Sequence, residues 1–219
     1  MPERNGQRKT RNQLPKRKPE LGYYYIVTDT EETEKNYMLG LQNSMPRYLQ
    51  RKLIIKVVEN VDTQKLVRTI LEDCSNQSQY CEPWIVFDRD RVKNFNDIID
   101  NALNNSIHVA WSNPCIEIFF YAYFGAMPAY YDSKVCCKKF AHEFQKITKQ
   151  KYDKNDQLIY QKLCKFGDEK KAIDIAKKKF NEHNNNENKK PTEMCPCTTL
   201  HTLVEEITNK IKENSQGEH

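Results

Sequence analysis

Near the middle of the chain stands the stretch Trp84-Ile85-Val86-Phe87-Asp88-Arg89-Asp90, an apolar run that stops at acidic residues. Such a run is typical of a strand that is buried on both faces of a sheet. Comparable β-rich runs lie at 23–27, 53–58 and 107–111, and segments with helical spacing of apolar residues separate the four runs. This alternation predicts an α/β fold with a mostly parallel, four-stranded sheet that is flanked by helices.

The rest of the chain predicts appendages around this α/β core. The expected domains are a disordered basic arm at 1–20, the core at 21–125, and a helical extension at 126–219. Within the extension, 181–190 is a polar, Asn-rich linker, and an apolar face along 200–211 predicts a C-terminal docking helix. Thr198 or Thr199 is the expected N-cap of that helix.

The composition limits the class of protein and its location. The 219 residues carry 35 basic and 30 acidic side chains, and the net charge of +5 favours polyanionic partners such as nucleic acid. No run reaches the roughly 18 apolar residues of a membrane span, and the N-terminus lacks the apolar core of a signal peptide. We therefore expect a cytoplasmic protein without membrane contact. The 8 scattered cysteines argue against a disulfide framework.

Acidic residues follow two of the predicted strands. Asp29 and Glu34 lie in the loop after the first strand, and Asp88 and Asp90 follow the third. Because the carboxyl ends of parallel strands meet at one edge of a sheet, we expect these four carboxylates to converge. They would repel one another unless hard divalent cations lay between them, and such cations can activate water for phosphodiester cleavage. The alternative is a set of ordinary loop acids that cap helices.

Five segments of the chain resemble the motifs of RloB-like proteins. The segment 28–37 is similar to the Glu-Gly-x-x-Thr-Glu-x-x-Tyr motif, 86–90 matches the second motif of the family, and 112–117 matches its Ser-Asn-Pro-x-x-Glu motif. Further along, 152–154 resembles the Tyr-x-Lys motif, and 198–204 resembles the C-terminal Thr-Thr-x-x-x-x-Val helix. Together these segments span most of the chain.

The resemblance implies a Toprim-like fold and a metal-dependent nuclease of prokaryotic antiphage or abortive-infection loci. It also implies an AAA/ABC-type ATPase, encoded nearby, as a partner. The substrate stays open between DNA, tRNA and other RNA, and so does assembly into a homodimer. Asp29 and Thr30 depart from the family, which usually has Glu and Gly there. The shorter acid would hold a metal closer to the strand or bind it through water, and the loss of Gly removes easy access to positive φ.

The metal ligands that we expect are all carboxylates. Asp29 and Glu34 would hold one ion, Asp88 and Asp90 would hold the other or both, and Glu117 would be a fifth acid near the same edge. Glu117 lies on an otherwise apolar helix, where a carboxylate is costly unless it binds metal or forms an ion pair, and both alternatives stay open. Oxygen ligands favour Mg²⁺ or Mn²⁺ over softer ions.

The matched motifs also contain residues with expected roles in catalysis and phosphate binding. Lys154 would stabilise the negative charge that grows on a cleaved phosphate. Ser112 and Asn113 would bind a phosphate or orient Glu117, and helix capping is the favoured alternative for both. The residues that we expect to be catalytic are Glu34, Asp88, Asp90 and Lys154.

A second kind of metal site is suggested by Cys195, Cys197 and His201, since thiolates and imidazole are good Zn²⁺ ligands. A fourth ligand would have to come from a distant part of the chain, such as Cys164 or the Cys136-Cys137 pair. The spacing is not that of a standard zinc knuckle, so ordinary buried cysteines are the favoured alternative.

Two other functions fit parts of the sequence. A haloacid dehalogenase-type phosphatase would use Asp88 as its nucleophile, but its Asp-x-Asp motif normally follows the first strand and not the third. A non-catalytic Toprim-like module would sense a ligand or recruit the ATPase, and the departures at Asp29 and Thr30 keep this alternative open.

Overall fold

A parallel sheet with a short antiparallel edge forms the centre of the molecule. The computed structural model describes residues 23–28, 32–57, 63–76, 81–90, 92–185 and 189–215, and the strands named below belong to these ranges. They are β1 (Tyr23–Thr28), β2 (Leu53–Val57), β3 (Cys81–Asp88), β4 (His108–Asn113) and β5 (Cys197–Thr198). Their order is β2-β1-β3-β4-β5, and β1 to β4 run parallel. The predicted α/β fold with a mostly parallel sheet is confirmed.

The fifth strand corrects the predicted number of four. β5 pairs antiparallel with β4 and contains two residues, too few to carry any apolar periodicity. Its attachment uses side chains as well as backbone. The Thr198 hydroxyl donates to the Trp111 carbonyl oxygen at 2.9 Å, and the Trp111 N–H donates to the Thr199 hydroxyl at 2.9 Å. The two threonines therefore tie the C-terminal segment to the edge of β4.

Helices cover both faces of the sheet. They are α1 (Thr33–Ser44), α2 (Arg47–Gln50), α3 (Thr63–Ser75), α4 (Phe95–Asn104), α5 (Glu117–Tyr123), α6 (Ser133–Thr148), α7 (Ile159–Phe166), α8 (Glu169–Asn184) and α9 (Leu200–Ser215). Alternate residues of β1 point to opposite faces. Tyr24 and Ile26 join the apolar cluster that includes α1, α5 and α9, whereas Tyr25 and Val27 join the cluster with α3 and α4. Within the described ranges, no helix is both long enough and apolar enough to cross a membrane.

The helical extension differs in two respects from the prediction. The stretch expected to be a linker at 181–190 is helical as far as Asn184, where α8 ends, and residues 186–188 lie outside the described part. The extension also shares the core, because α6 to α9 bury their apolar side chains in the cluster that contains α1 and α5. The arm at 1–20 lies outside the described residues.

The predicted helix at the C-terminal end is present as α9. Leu200, Leu203, Val204 and Ile207 are each no more than 1% exposed and lie in the cluster that also contains α1 and α5. The helix starts where the Thr198 hydroxyl accepts a hydrogen bond from the Leu200 N–H at 3.1 Å. Such a hydroxyl satisfies one of the N–H groups that the first helical turn leaves without a partner.

Candidate functional site

Asp88 is the last residue of β3 and lies at the beginning of α5. Its side chain is 7% exposed, and its carboxylate accepts a hydrogen bond from the Ile116 N–H at 2.9 Å. The parallel register sets Asp88 beside Ser112 on β4, so the end of β3 meets the connection from β4 to α5. Asp88 therefore caps α5 and complements the positive end of the helix dipole.

Ser112 and Asn113 do not cap α5, contrary to the favoured expectation. The Ser112 hydroxyl lies 3.0 Å from the Thr198 hydroxyl, and the Asn113 amide donates to the carbonyl oxygens of Pro191 and Thr192 at 3.1 and 3.2 Å. Both side chains are buried and turned toward the C-terminal segment. The hydrogen bond at the start of α5 comes from β3 instead, because the carboxylate of Asp88 at the end of that strand accepts from the Ile116 N–H.

Glu117 is the first residue of α5 and is fully buried. Tyr152 donates its hydroxyl hydrogen to Glu117 Oε1 at 2.9 Å, and Lys154 Nζ lies 3.7 Å from the same oxygen. The second oxygen, Oε2, is buried without a hydrogen-bond partner among the described residues. A buried carboxylate with one free oxygen is costly, and this cost is typical of a group retained for binding.

Lys154 brings the loop between α6 and α7 to the carboxyl edge of the sheet. Burial by itself lowers the pKa of this ammonium. The charges of Glu117, of nearby thiols and of Asp88 together raise it by more, so the net pKa shift is upward. The Asn36 amide donates to the Lys154 carbonyl oxygen at 3.5 Å, which ties this loop to the first turns of α1. Lys154 thus stays positively charged beside two acids, one at the end of β3 and the other at the start of α5.

The other predicted acids that the structure describes, Glu34 and Asp90, lie in different environments. Glu34 is 4% exposed and lies in the first turn of α1, near the same edge. Asp90 is exposed, because β3 ends at Asp88 and the chain turns there; it lines a cavity of about 300 Å³ with Arg89 and Asp132. Asp29 lies outside the described residues, so its expected role stays a prediction.

A cluster that we did not predict lies next to Glu117. Cys115, Glu117 and Cys137 each offer one ligand atom, and these atoms lie within 4.8 Å of one another. Within the described ranges, these three residues are the group of acids, histidines or cysteines that is compact enough to hold a metal ion, and Glu117 is the predicted carboxylate that belongs to it. The sequence places Cys115 two residues before Glu117, so this pair could have been noticed. Cys137 lies on α6, and only the packing of that helix brings it to the pair.

Cys195, Cys197 and His201 do not form a comparable group. The Cys195 thiol points to the Tyr130 carbonyl oxygen at 3.2 Å, and His201 Nδ1 donates to the Thr198 carbonyl oxygen at 3.0 Å. Burial raises the pKa of the Cys197 thiol to about 12 and lowers the pKa of His201. Each of the three side chains has the environment of an ordinary buried residue, which was the favoured alternative.

The family of the chain follows from a comparison with protein-family models. The model described as RloB-like protein matches residues 24–207. The chain belongs to the RloB-like family. A search of curated proteins and a search of solved structures each gave no match. The RloB-like match runs from β1 into α9, so it includes the sheet, Glu117, Lys154 and the Thr-Thr attachment of the C-terminal segment.

Proposed function

We propose that the chain is a Mg²⁺- or Mn²⁺-dependent nuclease that hydrolyses phosphodiester bonds of RNA, such as tRNA, or of DNA. Its role would be antiphage defence together with an ATPase encoded nearby. Membership of the RloB-like family supports this proposal. The observation that carries it is the meeting of Asp88, Glu117 and Lys154 at the carboxyl edge of a parallel sheet, where α/β proteins bind their ligands.

The donors at this edge fit a hard divalent cation in part. Asp88 and Glu117 offer carboxylate oxygens, and the buried Glu117 Oε2 has no partner among the described residues. Glu34 in α1 would complete the set, while the exposed Asp90 could join only from the turn after β3. When bound, such a cation would polarise the phosphodiester and lower the pKa of a water molecule.

The protein side chains would orient the substrate and hold charge in this mechanism. The Lys154 ammonium remains protonated and can bind a phosphate oxygen, where it would stabilise the charge that develops on cleavage. The Ile116 N–H fixes the orientation of the Asp88 carboxylate, and the Tyr152 hydroxyl fixes that of Glu117. The net charge of +5 would favour approach of a polyanion.

A non-catalytic module is the second candidate, and one observation favours it. Asp88 already has a structural partner in the N–H of Ile116, and Glu117 already has an ion-pair partner in Lys154. Both acids could therefore serve only to hold α5 against the sheet and the Lys154 loop. Such a protein would bind the ATPase or a ligand without any metal-dependent turnover.

The test is a cleavage assay with variants that preserve the helix cap. Purified protein, alone and with the ATPase encoded beside it, is incubated with DNA and with total tRNA in Mg²⁺, in Mn²⁺ and in EDTA. Asp88→Asn keeps an oxygen acceptor for the Ile116 N–H but removes the charge. Asp168→Asn is the matched control, since Asp168 caps α8 by accepting from the Lys171 N–H at 3.0 Å.

Metal-dependent cleavage that Asp88→Asn abolishes and Asp168→Asn retains would support the nuclease and identify its substrate class. No cleavage under any condition, with binding to the ATPase intact, would overturn it in favour of the non-catalytic module. Hydrolysis of a small phosphomonoester, with no action on nucleic acid, would overturn it in favour of the phosphatase.

A further inference from the structure

Two thiols and a buried carboxylate face one another beside the proposed nuclease site. Cys115 precedes α5, Cys137 lies on α6, and their sulfur atoms are 3.8 Å apart. Cys115 and Glu117 are no more than 1% exposed, whereas Cys137 is partly exposed. The cluster therefore has a buried floor and one side that opens toward solvent.

The spacing of the sulfur atoms suits a tetrahedral cation. With Zn–S bonds of about 2.3 Å and tetrahedral angles, two coordinated thiolates are separated by about 3.8 Å. The measured distance between the Cys115 and Cys137 sulfur atoms is 3.8 Å, so these two ligands need little movement. The carboxylate of Glu117 lies within 4.8 Å of both and would have to move closer.

Charge and hydrogen bonding also favour a cation at this position. The Glu117 side chain is only 1% exposed, and its Oε2 atom has no hydrogen-bond partner in the described part of the chain. Two thiolates and a carboxylate would carry three negative charges, which a divalent cation and the nearby Lys154 ammonium would balance. Each thiol would release its proton to solvent as it binds the ion.

We propose that Cys115, Glu117 and Cys137 bind a thiophilic divalent cation such as Zn²⁺, with the fourth position open to solvent beside Cys137. Two sulfur ligands and one oxygen select Zn²⁺, Co²⁺ or Cd²⁺ and reject Mg²⁺ and Ca²⁺. The site shares Glu117 with the proposed nuclease site but goes beyond that function, and cation binding can be measured without any substrate.

The test is a titration of the full, reduced chain with Co²⁺ and then with Zn²⁺. Coordinated thiolates give a sulfur-to-cobalt charge-transfer band in the near ultraviolet, and Zn²⁺ displaces the cobalt and removes the band. Cys137→Ser is the principal variant, since Cys137 is partly exposed, packs only at the margin of the apolar cluster, and is replaced by a side chain of similar size. Glu117→Gln is the second variant, and Cys164→Ser, at an exposed cysteine of α7, is the matched control.

We expect about one equivalent of Co²⁺ to bind with the charge-transfer band, and excess Mg²⁺ to leave the band unchanged. Cys137→Ser should weaken the band and lower the affinity by more than about tenfold, because loss of a direct ligand costs at least as much as loss of a supporting residue. Cys164→Ser should match the wild type. The proposal is overturned if reduced wild-type protein gives no band, or if the band and the affinity are unchanged in Cys137→Ser.

Discussion

Replacing Tyr152 by Phe removes the hydrogen bond that this hydroxyl gives to the buried Glu117 carboxylate. The donor and acceptor atoms are 2.9 Å apart, and neither residue is more than 8% exposed. The contact that then remains for the carboxylate, among the described residues, is Lys154 Nζ at 3.7 Å. The Lys154 side chain is 39% exposed, so solvent screens this ion pair and its contribution is no more than about 1 kcal/mol.

The expected loss depends on the charge of the acceptor. A hydrogen bond to a charged group contributes about 1.5–3 kcal/mol, so Tyr152→Phe should lower the free energy of unfolding by about 2 kcal/mol. In Glu117→Gln the acceptor is neutral, and the same substitution should cost about 1 kcal/mol. The difference of about 1 kcal/mol between these two costs of Tyr152→Phe is the coupling energy between Tyr152 and the charge of Glu117. Glu117→Gln alone should change stability by less than about 1 kcal/mol, because it also removes a poorly compensated buried charge.

The assay is urea unfolding of the wild type, the two single variants and the double variant at neutral pH, followed by tryptophan fluorescence. Tyr131→Phe is the control, since Tyr131 is 73% exposed and its change should not affect the urea midpoint. An equal cost of Tyr152→Phe in both backgrounds would refute the argument that a charged Glu117 is held by this bond. A loss above about 3 kcal/mol in Glu117→Gln would identify the carboxylate as a structural ion-pair partner.

Three more substitutions test the packing, the helix cap and the buried histidine. Gly40→Ala should lower stability by about 1–3 kcal/mol, because a Cβ would overlap the Tyr160 side chain; a higher urea midpoint would contradict this packing of α1 on α7. Asp88→Ala should cost about 1 kcal/mol and Asp88→Asn less, and equal losses in thermal unfolding would argue against the cap. Burial lowers the pKa of His201 below its usual 6.5, so the unfolded chain binds a proton first and stability falls as pH drops below about 6.5. His201→Gln should reduce this slope by up to about 1.4 kcal/mol per pH unit in urea titrations at several pH values, and an unchanged slope would refute it.

The order of strands and helices follows from local patterns. Each of the four longer strands is a run of β-branched, aromatic or apolar residues, and the three longer helices between them, α1, α3 and α4, repeat apolar residues at helical spacing. These patterns act within a few residues, so the sequence is sufficient to predict a mostly parallel α/β sheet. The five motif segments, taken together, were likewise sufficient to predict the RloB-like family.

The environment of each acid could not be predicted in this way. Asp88 and Asp90 are two residues apart, but the strand ends between them, so one is a buried helix cap and the other is exposed. Whether a carboxylate is buried depends on what packs over it, and for Glu117 the covering groups, Tyr152 and Lys154, are more than thirty positions away.

The local sequence therefore determines which elements form and in which order, because helical and strand periodicity are properties of neighbouring residues. The pairing of Cys115 with Cys137, and of β5 with β4, is determined only when the sheet and α6 are assembled. Neither contact can be predicted from helical or strand periodicity, because each depends on how distant elements pack against one another. The groups available for chemistry in this chain are accordingly set by long-range packing, around a fold that local patterns specify.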